Sequence, residues 1–103
     1  MDETIPHQEF KTSNKKCDFA LKISGDSMEP EIPSGSIVLV RKQDVVSPEE
    51  IGAFCLNGEG YCKRLSIVDG KTFLHSDNSK YEPIEVFDSD SLIVYGVVVE
   101  IIS

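Results

Sequence analysis

The sequence predicts an all-β domain, and three observations lead to that expectation. Apolar and polar residues alternate in short runs, which is the period of a half-buried strand. β-branched residues are concentrated in several runs, and dipeptides typical of tight turns separate them. No segment has the spacing of a convincing helix. Short strands joined by tight turns favour a twisted β-barrel or sandwich.

The first two strands are expected in the N-terminal half of the chain. Phe19, Leu21 and Ile23 alternate with smaller or more polar neighbours and predict a half-buried strand over residues 19–24. Residues 25–35 hold two glycines and two prolines, which exclude a long helix. The β-branched run at residues 36–40 then predicts a buried strand.

Two dipeptides that tolerate positive φ, Asn57-Gly58 and Asp69-Gly70, predict hairpin turns in the middle of the chain. The strands expected around them cover residues 51–56, 61–68 and 72–75. Residues 76–83 form a polar loop. Two more strands are expected at residues 84–87 and 91–102, the second of them broken at Gly96.

Length and composition fit one globular domain of 103 residues, of which 40% are hydrophobic. Residues 1–17 are polar and aperiodic and are expected to form a flexible N-terminal arm or linker, which leaves residues 18–103 as the folded domain. No apolar run approaches the roughly 20 residues of a membrane span, and residues 1–16 contain no signal-peptide core. The expected location is the cytoplasm, without membrane contact.

The formal net charge of −8 makes the domain a poor candidate for direct nucleic-acid binding, because it repels phosphate backbones. Its cysteines, Cys17, Cys55 and Cys62, are odd in number and widely spaced. Reduced thiols are therefore expected rather than a disulfide framework or a metal motif. His7 and His75 are the only histidines, so a zinc site would need an unusual mix of ligands. No metal or other cofactor is therefore expected.

Ser27 is the candidate nucleophile. It lies in Ser24-Gly25-Asp26-Ser27-Met28-Glu29-Pro30, directly after a predicted strand. Glycine lets the backbone bend sharply, which exposes a hydroxyl and can aim neighbouring N–H groups at one point. Taken alone this signal is weak, because a serine in such a turn is usually only a turn residue.

A serine nucleophile needs a base, and the sequence offers histidine or lysine. His7 lies in the arm and His75 at a strand end without an obvious acid partner, so a Ser-His-Asp triad is poorly supported. A lysine can serve if burial lowers its pKa from roughly 10.4 to about 7. Lys63 fits best, since it lies mid-strand on the face of Tyr61 and Leu65. An exposed strand lysine would give the same pattern.

Five blocks of the sequence add specificity. They are residues 20–30 around the serine, 33–40 as the next strand, 62–65 around the lysine, 78–84 as a loop and 96–98 in the last strand. In order and spacing they resemble the LexA/UmuD/phage-repressor self-cleaving proteases, the S24-type peptidases. The resemblance covers about residues 18–102, and residues 17–21 look more like phage-type repressors than like LexA itself.

The resemblance implies a mostly β fold and a homodimer formed by this domain. It implies that Ser27 attacks a peptide carbonyl of its own chain with Lys63 as general base. The backbone N–H groups of Asp26 and Ser27 would form the oxyanion hole. It further implies stimulation by RecA filaments or release by an antirepressor, and contact with DNA only through a separate N-terminal domain.

The sequence also departs from the family pattern. The family often has aspartate where this chain has Ser36, and threonine, which helps to orient the amine, where it has Tyr61. The dipeptides that family members cut, Ala-Gly or Cys-Gly, are absent from residues 1–26, and no helix-turn-helix precedes Asp18. The chain is therefore expected to be a C-terminal fragment or a product without its own cleavage site.

Three functions stay open on the sequence. The first is the dimerisation and latent self-cleaving domain of a phage-type or SOS-response repressor. The second is a UmuD-like accessory subunit of a translesion polymerase. The third is a non-catalytic dimerisation or partner-binding module, because the apolar residues 92–102 must be covered by a core or by a partner.

Overall fold

The structure is a computed structural model that describes residues 7–8 and 17–103. Within those residues it contains no helix, and its strands form one antiparallel sheet in the order β1-β2-β3-β8-β4-β5-β6-β7. The strands are β1 His7–Gln8, β2 Phe19–Lys22, β3 Ile37–Lys42, β4 Ile51–Leu56, β5 Glu59–Val68, β6 Lys71–His75, β7 Ile84–Val86 and β8 Leu92–Ile102. The all-β prediction is confirmed, and most strand ends lie close to those predicted.

Both predicted hairpin turns are present. Asn57 and Gly58 have φ values of 50° and 88° between β4 and β5. Asp69 and Gly70 have φ values of 52° and 76° between β5 and β6. Positive φ at both central residues is what a tight turn between right-twisted strands requires, so these dipeptides set the register of the three strands.

The centre of the sheet is β8, which pairs with β3 through its second half and with β4 through its first half. The predicted break at Gly96 does not end the strand, which runs from Leu92 to Ile102; instead, the pairing of β8 with β4 shifts register between Val94 and Gly96. A Cβ atom at Gly96 would stand 2.2 Å from the carbonyl oxygen of Arg41. The glycine therefore marks a close approach of neighbouring backbones and not the end of a strand.

The sheet curls so that strands far apart in its order enclose a common core. One apolar cluster joins residues of β2 and β3 to residues of β4 and β5, and it includes Met28 and Ile32 from the segment after β2. A second cluster packs around Phe54, with contributions from β5, β6 and β8. Because β2 and β5 are not neighbours in the sheet, the curl is what brings the segment after β2 against β5.

The predicted flexible arm at residues 1–17 falls mostly outside the described residues, and its flexibility stays a prediction. Its described part, β1, pairs with β2 in the register His7↔Leu21 and Gln8↔Ala20. Among the described residues, no helix is long and apolar enough to cross a membrane.

Candidate active site

The segment that carries Ser27 is a series of turns fastened to the core. Gly25 has a φ of 95°, a conformation that glycine adopts readily, and it turns the chain away from β2. Met28 and Ile32 are fully buried in the first apolar cluster, and the N–H of Ile32 donates to the carbonyl of Met28 at 2.8 Å. Ser27 is thus held by buried apolar neighbours rather than carried on a free loop.

Lys63 meets Ser27 across the curl of the sheet. It lies within β5 opposite Gly52 of β4, and its Nζ donates to the Ser27 Oγ at 2.7 Å. Both residues are only 1% exposed, so bulk water is largely excluded from this contact. The structure therefore brings together the two residues chosen from the sequence, at a distance suited to proton transfer between hydroxyl and amine.

Two tyrosine rings flank the amine of Lys63. The ring centroids of Tyr61 and Tyr81 each lie 5.9 Å from its Nζ. The hydroxyl of Tyr61, the residue in the family's threonine position, donates to Glu59 at 2.9 Å. Tyr61 therefore presents its ring to the amine, and Lys63 reaches Ser27 without a threonine at that position.

Ser36 is the other position at which the chain departs from the family pattern, and the structure shows its contacts. Its side chain is buried, and its Oγ has no hydrogen-bond partner among the described residues. Its backbone nevertheless holds the start of the turn segment, since the carbonyl of Ser36 accepts the N–H of Ile23 at 2.8 Å. The serine hydroxyl thus contributes nothing visible to this link.

The polar loop between β6 and β7 is hydrogen-bonded to the segment that carries Ser27. The backbone N–H of Asn78 donates to the carbonyl of Ser27 at 2.9 Å, and its side-chain amide donates to the carbonyl of Asp26 at 3.0 Å. One residue earlier, the N–H of Asp77 contacts the sulfur of Met28 at 3.4 Å. Successive residues of the loop therefore hold successive residues around the serine.

The carboxylate of Asp26 is a second attachment point for the same loop. Lys80 forms an ion pair with it at 2.8 Å, and the Tyr81 hydroxyl donates a short hydrogen bond to its other oxygen. The hydrogen bond from Lys80, followed by that from Tyr81, lowers the pKa of Asp26 below its ordinary value of 3.8. Asp26 is consequently an anion at neutral pH and keeps both contacts.

Comparison with known proteins agrees with this arrangement. A family model described as Peptidase S24-like matches residues 1–99. The chain belongs to the Peptidase S24-like family.

Curated relatives of this S24-like chain carry the name LexA repressor. The relative from Streptomyces coelicolor is 41% identical over 85 residues, which are 82% of this chain and 35% of the relative. The relative from Magnetococcus marinus is 36% identical over 92 residues, 88% of this chain and 39% of the relative. This S24-like chain therefore corresponds to well under half the length of either repressor.

Arg64 is a site residue that the sequence analysis did not single out. It follows Lys63 in β5, and its guanidinium donates to both carboxylate oxygens of Asp77 at 2.9 and 2.8 Å. It also donates to the carbonyl of Glu49 at 2.6 Å. The hydrogen bond with Asp77 is the main reason why the pKa of Arg64 is raised above its ordinary value. Arg64 thus ties the loop to the strand that carries the lysine.

The roles of Asn78 and Arg64 had only an indirect sequence signal. Both residues lie in blocks that resemble the family, but a block says nothing about which neighbour a side chain contacts. Distance along the chain hides these contacts, because Asn78 lies 52 positions from Asp26.

The remaining candidates from the sequence lie elsewhere. His75 is exposed at the end of β6, and it is Lys63 that contacts Ser27. Cys17, Cys55 and Cys62 form no disulfide within the described part of the chain. Across residues 7–8 and 17–103, no cluster of histidine, cysteine and carboxylate side chains is placed to hold a metal ion.

Proposed function

We propose that this S24-like domain is a latent Ser/Lys peptidase that cleaves its own chain, with Ser27 as nucleophile and Lys63 as general base. The observation that carries the proposal is the 2.7 Å contact between Lys63 Nζ and Ser27 Oγ in a setting where both residues are buried. A neutral lysine amine in that position accepts the hydroxyl proton as the oxygen attacks.

The reaction has two halves. In the first, Ser27 Oγ bonds to the carbonyl carbon of the scissile peptide while its proton passes to Lys63. The negative oxygen of the tetrahedral intermediate accepts hydrogen bonds from the backbone N–H groups of Asp26 and Ser27. Lys63 then delivers the proton to the leaving amine, and an ester on Ser27 is left. In the second half, water attacks the carbonyl carbon of the ester while its proton passes to Lys63. The bond between that carbon and Ser27 Oγ then breaks, and Lys63 returns the proton to the serine oxygen.

An intramolecular reaction suits this site. When the substrate is part of the same chain, its local concentration is high and much of the entropic barrier to association is already met.

The names of the relatives support a wider proposal, in which the domain belongs to a transcriptional repressor of the SOS-response or phage type. DNA contact is then made by a separate N-terminal domain. Cleavage, which a RecA filament stimulates, separates that domain from this one, and an antirepressor would act in place of cleavage.

We also propose that this domain forms the repressor dimer through β8. Ile93, Tyr95 and Ile102 of that strand remain 51%, 43% and 47% exposed, although β8 lies in the centre of the sheet. A second copy would cover these apolar side chains. Sedimentation equilibrium tests this: Tyr95→Asp should convert a dimer to a monomer, and an unchanged dimer would contradict the proposed surface.

The cleavage test uses the full-length parent protein at pH 7 to 10, with and without RecA, single-stranded DNA and ATPγS, analysed by intact mass. We expect the wild type to split at one bond and Ser27→Ala and Lys63→Ala to stay whole. The matched controls are Lys22→Ala, at an exposed strand lysine, and Ser79→Ala, at an exposed serine, both of which should cleave normally. A wild type that stays whole throughout would favour a non-catalytic dimerisation module.

A further inference from the structure

We propose that Asn78 is a positioning residue of the oxyanion hole, and that its side chain sets the direction of the Ser27 N–H group. The inference rests on the proposed peptidase function and adds a residue that acts through the backbone of the nucleophile turn. It does not require Asn78 to touch the substrate.

The argument begins with the geometry of one peptide group. The carbonyl of Asp26 and the N–H of Ser27 belong to the same trans peptide, in which the two bonds are coplanar and point in opposite directions. A contact that fixes the carbonyl oxygen of Asp26 therefore also fixes where the N–H of Ser27 points. An oxyanion hole is effective when its donors are aimed before the reaction begins, so this direction matters.

Two donors hold that carbonyl oxygen. The backbone N–H of Glu29 reaches it at 3.1 Å from within the turn, and the side-chain amide of Asn78 reaches it at 3.0 Å from the loop between β6 and β7. The backbone N–H of Asn78 additionally holds the carbonyl of Ser27 at 2.9 Å. The bond from Glu29 lies within the turn and leaves the peptide plane free to rotate. The bond from Asn78 comes from outside the turn and restrains that rotation.

The Asn78 side chain is itself held in place. Its Oδ1 accepts the N–H of Lys80 at 3.2 Å, and its backbone carbonyl accepts the N–H of Tyr81 at 3.1 Å. The preceding residue, Asp77, is paired with Arg64 at 2.8 Å. The amide that points at Asp26 is therefore anchored to β5 beside Lys63, so the same strand supports the base and, through the loop, the oxyanion donor.

Two substitutions remove the amide donor in different ways. Asn78→Ala deletes it and leaves the backbone bond to Ser27. Asn78→Asp keeps the side-chain volume and the acceptor for Lys80, but it directs a carboxylate oxygen at the carbonyl of Asp26. Removing an oxyanion donor outright lowers kcat by about 10²–10³-fold, so misdirecting one predicts a loss of about 10- to 100-fold.

The matched control is Asn57→Asp. Asn57 makes the same kinds of contact in another loop, with its amide donating to Asp90 at 3.0 Å and its oxygen accepting the N–H of Ser91 at 2.9 Å. Aspartate also tolerates the positive φ of this position. The control therefore reports the effect of losing such a link on folding alone, and the midpoint of thermal unfolding is measured for every variant.

The first assay is phosphonylation of the full 103-residue chain by a fluorophosphonate, followed by intact mass. Ser27 Oγ bonds to phosphorus, the phosphorus–fluorine bond breaks, fluoride leaves and the hydroxyl proton passes to Lys63. We expect both Asn78 variants to react about 10- to 100-fold more slowly than the wild type, and Asn57→Asp to stay within about twofold. Ser27→Ala must not react at this position.

The second assay separates the oxyanion hole from the nucleophile. In a Ser27→Cys background, iodoacetamide alkylates the introduced thiol without forming an oxyanion, and peptide mass distinguishes it from Cys17, Cys55 and Cys62. Adding Asn78→Ala should leave this alkylation rate within twofold. An equal fall in both assays would mean that the loop positions the nucleophile as a whole, which would overturn the inference.

Two other outcomes are also decisive. Wild-type phosphonylation rates in both Asn78 variants would overturn the role of Asn78 and leave the Ser/Lys proposal standing. A wild type that reacts no faster than Lys63→Ala would overturn the proposed peptidase and, with it, the positioning role.

Discussion

Replacing Arg64 by alanine should destabilise the domain by about 2–4 kcal/mol. This magnitude follows from the contacts of the guanidinium group. Two hydrogen bonds reach Asp77 at 2.9 and 2.8 Å, and a third reaches the carbonyl of Glu49 at 2.6 Å. A hydrogen bond to a charged group contributes about 1.5–3 kcal/mol. The side chains of Arg64 and Asp77 are 29% and 15% exposed, so solvent screening keeps the total well below three times that value.

Urea unfolding of wild type and Arg64→Ala measures this loss directly. For a domain of this size the midpoint of thermal unfolding should fall by about 8–32 °C, at about 4–8 °C per kcal/mol. Arg64→Lys should recover only part of the stability, because an ammonium cannot make the two-pronged contact with Asp77. The matched control is Arg41→Ala, which loses one exposed hydrogen bond to Gln43 at 3.3 Å and should cost less than about 0.5 kcal/mol.

The pH dependence of the same difference has a definite sign. The pKa of Arg64 is raised in the folded state, chiefly by its hydrogen bond with Asp77. A raised pKa contributes stability that is fully present below the ordinary pKa of an arginine side chain and is lost only as the pH rises through the folded-state pKa. The deficit of Arg64→Ala should therefore stay constant between pH 6 and 9. A deficit below about 0.5 kcal/mol in that window would refute the assigned role of Arg64.

Four further predictions concern the site and the sheet. Lys63→Arg should abolish self-cleavage because arginine cannot act as a base near neutral pH; cleavage of this variant at the wild-type rate would contradict a lysine base. Asp26→Asn should be less stable than the wild type in urea at pH 7. This difference in the free energy of unfolding should shrink as the pH falls below 3.8, because the lowered pKa of Asp26 stabilises the fold only while the carboxylate is charged. A difference of equal size at pH 2 would argue against this. Gly96→Ala should cost about 3 kcal/mol or more in urea unfolding, since the new Cβ would meet the Arg41 carbonyl at 2.2 Å; a loss below about 1 kcal/mol would show that the strands separate easily. Ser36→Ala should be neutral or stabilising by up to about 1 kcal/mol in the same assay, because it removes a buried hydroxyl without a partner among the described residues; clear destabilisation would reveal a partner for that oxygen.

Glycine is required for two different physical reasons in this sheet. At Gly58 and Gly70 the requirement is local, since both adopt positive φ in turns between adjacent strands. At Gly96 the requirement comes from Arg41, a residue on another strand. At the two hairpins an asparagine or aspartate precedes the glycine and marks the turn, so both turns were predicted correctly. Gly96 stands in an apolar run, where the sequence does not show which neighbouring strand requires it, and the continuity of β8 was not predicted.

The sequence by itself determined the all-β class, the approximate strand positions and the hairpin turns, because period-two alternation and turn conformation are properties of neighbouring residues. It also singled out Ser27 and Lys63, through blocks that resemble a family. Only the tertiary structure decided that these two meet, since they lie 36 positions apart and the curl of the sheet closes the distance. The links made by Asn78 and Arg64 were decided in the same way, because a hydrogen bond between distant segments depends on how the sheet folds over and leaves no period in the sequence.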